Sequence, residues 1–168
     1  ANLFATLAGP RPVVAYMLPS LIETHTTLWG AETAGVAVPI NFLLQPEPIA
    51  GLLEASGARI LVALGPHPTL DIWQKALSLR DRIPGLMLLR VDAPGMSGSP
   101  LTPLEAGAID FRSALMAQPD DRLVFGEPGE YRADFVPSQP GKYTFHFTGT
   151  IDGEEVDEEM TSGPDTFS

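Results

Sequence analysis

The residues of this sequence that could do chemistry are three histidines, two lysines and an acidic run near the end. His25 stands four residues before Trp29 in a stretch of helical spacing, where a packed or capped histidine is the plain alternative to a ligand-binding one. His67 lies in Gly-Pro-His-Pro after a strand-like run, at a carboxyl end of the kind where α/β sites gather. No acid or hydroxyl constellation accompanies it. His146 sits in an alternating stretch and points away from its aromatic side. The three histidines share no metal-ligand spacing, so no metal is expected. Glu154, Glu155, Asp157, Glu158 and Glu159 could attract calcium, yet they lack the spaced oxygens and turn glycine of a calcium loop and read as a solvated acidic face. Gly95–Pro100 (GMSGSP) could contact an anion, but no helix start or lysine follows, and it reads as a linker. Ser97 and Ser99 have no base partner, and no G-x-S-x-G elbow exists. Cysteine is absent, which excludes disulfides and thiolate chemistry. The expectation is therefore no catalytic residue, no metal and no cofactor, with the cofactor-binding residues unassigned.

The elements that would position such residues follow from periodicity. Val13–Leu18 is a short apolar run that fits a buried strand. Leu21–Ala34 has helical spacing, with Leu21, His25, Leu28 and Trp29 as its apolar side. Ser20 is its expected N-cap, Glu23 the capping-box partner, and Gly35 a terminator that tolerates positive φ. Val36–Ile40 reads as a second strand. Pro46 and Glu47 suit the first turn of a helix over 47–56, which Gly57 ends. Arg59–Leu64 is a third strand, Thr69 is expected to cap a helix from Leu70 to about Arg80, and Leu86–Val91 is a fourth strand. Asp92–Pro103 reads as a flexible connector. Residues 104–118 read as one more helix, anchored by Ile109, Ala114 and Leu115. Strands alternating with helices predict an α/β fold, a parallel sheet of about four strands with crossover helices.

A length of 168 residues suits one ordinary domain or two very small ones. The hydrophobic fraction of 44% permits a core, and 33 glycines and prolines (16 Gly, 17 Pro) are many for a compact enzyme domain. No leader or 18-residue apolar run is visible, so neither a signal peptide nor a spanning helix is expected. The net charge of -11 is uneven. Residues 1–118 carry nine acids and seven bases, and residues 119–168 carry twelve acids and three bases. The acidic end would repel nucleic acid and anionic membrane, so neither is expected as a partner.

The stretches VVAYMLPSLIETHTTLWGAETAGVAVPIN (13–41) and PEPIAGLLEASGARILV (46–62) resemble the N-terminal part of acyl-CoA synthetases of the AMP-binding, adenylate-forming superfamily. DFRSALMAQPDDRLVFG (110–126) resembles the stretch leading toward that family's nucleotide-binding loop. The resemblance covers about residues 10–126 and implies an α/β scaffold, with most of the family's chemistry lying further on. Two departures stand out. The family grips ATP with a Ser/Thr/Gly-rich loop ending in Pro-Lys, whereas Arg122–Gly126 is followed here by EPGEYRADF. The Thr161–Pro164 string TSGP has no lysine after it and reads as coincidence. Lys75 and Lys142 match no motif of the family, so its adenylating lysine has no counterpart.

After Gly126 the period becomes two. YRADFVP (131–137) and KYTFHFTG (142–149) alternate around the turn SQPG, predicting an antiparallel hairpin with Tyr143, Phe145 and Phe147 on one face. Asp152–Gly153 suggests another turn, and Glu154–Met160 a third, acidic strand. This stretch resembles the closing strands of bacterial immunoglobulin-like domains, which implies a binding or spacing role. The expected division is 1–126, a partial adenylate-forming-enzyme-like domain, and 127–168, an acidic β segment. A junction near Gly126–Glu130 reads as a fusion, a rearranged gene or an assembled chimera.

Three functions stay open at this point. One is a truncated acyl-CoA-synthetase-like scaffold without its own ligase activity. Another is a residual acyl, nucleotide or CoA site at the carboxyl ends of the strands. The third is a β-rich structural or protein-binding module. A partial sheet would leave an open edge, which predicts self-association or a covering partner. The α/β part favours a cytoplasmic setting and the β part an extracytoplasmic one, leaving the compartment open.

Overall fold

The computed structural model describes residues 1–92, 102–120, 142–151 and 154–163. The chain divides into two compact units, Ala1–Gly129 and Glu130–Ser168.

The first unit runs α1 (Asn2–Ala8), β1 (Val13–Met17), α2 (Ile22–Ala34), β2 (Val36–Pro39), α3 (Pro46–Ser56), β3 (Ile60–Leu64), α4 (Ile72–Arg82), β4 (Met87–Val91), β5 (Ala108–Asp110) and α5 (Phe111–Met116). All strand pairs are parallel, in the order β2-β1-β3-β4-β5. Each crossover helix must lie on the side that a right-handed connection dictates. The chain moves outward from β1 to β2, then back across to β3 and on to β4. That reversal places α2 on one face and α3 and α4 on the other. Accordingly α1 packs with α2, and α3 with α4.

The central strand β3 is buried at every residue, as is expected where helices cover both faces. Fully burying a leucine such as Leu61 stabilises the fold by about 1.5–3 kcal/mol. Trp73, Ile72, Ala76 and Leu79 fill one side of the core from α4, and Ile49, Ala50 and Leu53 from α3. Gly57 ends α3 at φ 70, the left-handed value that its position after a helix favours.

Several sequence expectations change. There are five parallel strands in place of about four, because residues 104–118 do not form one helix. Gly107 turns the chain at φ 80, so Ala108–Asp110 can pair with β4. Asp110 then caps α5 by accepting from the Ser113 N–H at 2.7 Å. Phe111 supplies the buried anchor there, while Ile109, Ala114 and Leu115 are only partly buried.

Ser20 does not cap α2. The Thr24 hydroxyl folds back, accepting from the Leu21 N–H at 3.2 Å and donating to the Pro19 carbonyl. The buried stripe of α2 is Thr27, Ala31 and Ala34, whose small side chains let the helix lie close to the sheet. Trp29 and His25 face outward, and Ile22 is 81% and Trp29 64% exposed. Gly35 is extended (φ -174) and is required by closeness: a Cβ there would come within 2.2 Å of the Pro12 carbonyl oxygen. Thr69 does not cap α4. Asp71 is the N-cap residue, and its carboxylate goes to Lys75.

The edges of the sheet are β2 and the three-residue β5, and β2 is the longer of the two. Val36 and Ile40 direct their N–H groups to β1, so Ala37 and Pro39 alternate outward. Proline has no N–H, and a four-residue strand with Pro39 on its outer side offers a further strand little to pair with.

In the second unit β6 (Thr144–Ile151) and β7 (Glu154–Thr161) form an antiparallel ribbon with His146 opposite Glu159 and Phe147 opposite Glu158. The acidic third strand of the sequence reading is therefore β7. The expected strand at 131–137 and the turns at 138–141 and 152–153 lie outside the described residues, apart from Lys142 onward. One face carries Phe145, Phe147, Val156 and Met160 with Glu158 opposite Phe147; the other carries Thr144, His146 and Thr148 beside Asp157 and Glu159. Among the described residues no helix is long and apolar enough to cross a membrane.

Candidate functional site

In this strand order the connections leave β1 and β3 toward opposite faces. The loops after these two neighbouring strands therefore diverge, and the crevice between them is where open α/β sheets place ligands. Pro19–Leu21 follows β1, and Gly65–Leu70 follows β3. Asn41–Leu44 lies beside them after β2, held as a turn by the Leu43 N–H donating to Asn41 Oδ1 at 3.0 Å.

His67 is in the loop after β3, as the sequence suggested, and is partly buried. Its ring is turned onto its own loop. The Thr69 N–H donates to His67 Nδ1 at 3.3 Å, and the Thr69 hydroxyl lies 3.2 Å from the same atom. Accepting at Nδ1 puts the proton of the neutral ring on Nε2. A loop that cradles phosphate needs free backbone N–H groups. Here the Gly65 N–H is spent on the Val91 carbonyl at 2.9 Å and the Thr69 N–H on His67, and Pro66 and Pro68 have none. Within Gly65–Thr69 these commitments leave few free N–H groups for the phosphates of ATP.

Lys75 is the other group with catalytic potential, and it is buried. Its ammonium donates to the Phe42 carbonyl at 2.9 Å and pairs with Asp71 at 3.0 Å, tying α4 to the loop after β2. Near the end of β1, burial first and Glu32 second push the Tyr16 phenol above its ordinary range, so it stays neutral.

The remaining sequence candidates are dispersed. His25 donates through Nδ1 to the Leu21 carbonyl at 2.9 Å and tilts against Trp29, stabilising the first turn of α2. His146 pairs through Nε2 with Asp157 on the ribbon. Among the described residues no group of histidines and acids is arranged to hold a metal ion. Gly95–Pro100, with Ser97 and Ser99, lies outside the described residues, as does Pro164. Thr161–Gly163 ends β7 and leaves it, with the Ser162 N–H donating to the Tyr143 carbonyl. A groove of about 290 Å³ between α1 and α5 is lined by Asn2, Leu3, Leu115 and Met116, among others, and offers amides and apolar groups.

Sequence reasoning missed the strongest electrostatic centre, Arg90, which is 3% exposed. Its signal was present: a lone arginine in the otherwise apolar strand run MLLRV. A cation that is almost never buried without partners implies partners nearby. Arg90 Nη1 donates to the Pro103 carbonyl at 2.9 Å and to Glu105 at 3.0 Å; Nη2 donates to Asp92 and to the Thr102 carbonyl, each at 2.9 Å. The guanidinium carbon also stands 6.0 Å from the Trp73 ring centroid. Burial works to raise the Glu105 carboxyl, but the Trp73 indole, its own backbone N–H and Arg90 outweigh burial and hold it below the ordinary range. The Trp73 indole N–H acts from a distance, since neither it nor Arg90 Nε closes a hydrogen bond.

No family model matches the chain. Over 126 residues, or 74% of the chain, it is 32% identical to the marinolic acid–CoA ligase of Pseudoalteromonas sp. (strain SANK 73390), of which it spans 18%. The crystal structure of the Brucella canis acyl-CoA synthetase superposes with a TM-score of 0.55 at 23% identity, over 93% of this chain and 25% of that one. The second likeness speaks for the fold. The chain thus spans about a fifth to a quarter of the proteins it resembles. Sequence and fold agree that it carries a segment homologous to acyl-CoA synthetases and ligases.

Proposed function

We propose that this chain supplies the α/β scaffold of an acyl-CoA-synthetase-type protein and has no ligase activity by itself. The observation that carries the reading is the spent chemistry of the strand exits. The homologous segment is present, yet His67 and Lys75 are bonded within their own structure, and Pro66 and Pro68 bring no N–H to the loop after β3. Adenylation needs an electrostatic clamp on ATP, and residues after Gly126 do not continue into the Pro-Lys loop of the resembled family. The acidic second unit adds repulsion toward nucleic acid and anionic membranes. ATP-dependent pyrophosphate release with mixed fatty acids tests the reading: the expected result is no turnover, and clear turnover overturns it.

A second reading rests on the divergent loops after β1 and β3, which leave a crevice for an acyl, nucleotide or CoA group. Calorimetry with ATP, AMP and CoA checks it, and no heat at millimolar ligand removes it. The ribbon keeps its own reading as a spacing or binding module of immunoglobulin-like ancestry, supported by its alternating apolar and polar faces. The outward apolar side of α2, with Ile22 and Trp29, is the surface that a covering polypeptide or a second copy would occupy in place of the proline-blunted edge.

A further inference from the structure

We infer that Arg90 is a positioning residue that clasps three segments of the carboxyl-end rim together: the exit of β3, the exit of β4 and the approach to β5. The geometry is that of a four-way anchor on one cation. Asp92 leaves β4 and is held through Oδ2. Thr102 and Pro103 return toward the sheet and are held by their carbonyls. Glu105 precedes the turn into β5 and is held by its carboxylate. The exit of β3 lies close against this anchor: a Cβ on Gly65 would come 2.5 Å from Asp92 Oδ1 and 3.1 Å from Arg90 Cγ, so the backbone of Gly65 rests on the clasp. The chain thus leaves β4 at residue 92, and residues 102–105 lead toward β5, under one guanidinium.

A planar fork with several fixed donors can satisfy carboxylates and carbonyls in different directions at once, and a lysine at the same place could not. Asp92 and Glu105 compensate the buried charge, while the Trp73 face below the guanidinium limits its motion. The other charged groups around the clasp are Asp110, Arg112 and Arg80. Asp110 pairs in register with Arg90 on β5, Arg112 acts on Asp110 from α5, and Arg80 of α4 donates to the Ala106 carbonyl at 3.0 Å. The segment is therefore pinned at 102–103, 105 and 106 by two arginines from different elements. Arg90 alone also holds the β4 exit.

Hydrogen exchange of the full chain, resolved by residue, tests the clasp with the variants Arg90→Met, Arg90→Lys and Glu105→Gln. In Arg90→Met the amides of residues 104–110 and Gly65 are expected to exchange roughly tenfold faster or more, as the loss of charged hydrogen bonds implies. The amides of β1 should be unchanged. Arg90→Lys should restore only part of the protection. Glu105→Gln, which leaves the cation and its other partners in place, should speed residues 104–110 and spare Gly65. A pH series supplies a readout that space-filling would not move. Glu105 ionises below its ordinary range when folded, so protection at 104–107 should persist above that range and fade as pH falls through the depressed value, and Glu105→Gln should remove that part, leaving the response of the likewise depressed Asp110 at 108–110. Equal exchange in Arg90→Met and the parent chain overturns the inference. So does an equal acceleration at every strand, or an acid response at residues 104–107 that is as large in Glu105→Gln as in the parent chain.

Discussion

The five-stranded sheet and the two-stranded ribbon use the same hydrogen-bonding chemistry with opposite results for burial. In the sheet, β3 is buried throughout and β4 almost so, because helices cover both faces. In the ribbon, Phe147 is 53% and Met160 65% exposed, and β7 has acids at four of its central positions, Glu155, Asp157, Glu158 and Glu159. A parallel strand gains its stability from apolar area on two sides. A two-stranded antiparallel ribbon has at most one face to bury and is marginal by itself. The comparison teaches that backbone pairing alone says little about where stability resides.

The sharpest way to break this contrast is a cavity in the sheet. Leu61→Ala removes a fully buried leucine from the central strand and should cost about 3 kcal/mol, within the usual 2–5 for such sites. Urea unfolding followed by tryptophan fluorescence measures it, since Trp73 reports on the core. A loss under about 1 kcal/mol would show that the sheet is not packed as described.

A smaller effect is expected at the last strand of the sheet. Asp110→Ala removes the cap of α5 and should cost about 1 kcal/mol at neutral pH. The Ser113 side chain, and then its N–H, lowers the Asp110 carboxyl against the opposing effect of burial. A depressed carboxyl contributes stability that is present above its unfolded value and lost as pH falls through the folded one. The two proteins should therefore converge in stability on acidification below the ordinary aspartate range. A gap that persists there would mean that Asp110 acts through packing.

The smallest effect belongs to the ribbon. Phe147→Ala should shift the unfolding midpoint of the α/β unit by less than about 0.5 kcal/mol, as surface substitutions generally do. Added salt should instead slow exchange in β7 by screening Glu155, Asp157 and Glu159 along one face, and leave β3 unchanged. A large response of the sheet to Phe147→Ala would erase the distinction between the two regions.

Much of the first unit could be read from residue patterns. Apolar runs such as ILVAL, and Gly57 after a helical stretch, carry their meaning within a few neighbours. The candidate site was legible in location, since His67 does follow a strand exit, but not in state. Its imidazole is occupied by Thr69, two residues away, and only the loop geometry decides whether that bond closes. The side of α2 that faces the sheet was misread for a related reason. With apolar and polar residues mixed on every side, periodicity gives no preference, and the close approach of Thr27, Ala31 and Ala34 settles it.

Local chemistry alone thus determined the α/β class, the parallel character of the sheet, the acidic alternating end and the likeness to acyl-CoA synthetases. These depend on spacing, turn residues and composition along the chain. The tertiary structure decided the fifth strand, the outward turn of Trp29, the commitment of His67 and Lys75, and the four partners of Arg90. Each of these depends on atoms brought together by folding. A buried charge in particular has a meaning only once the groups that compensate it are in place.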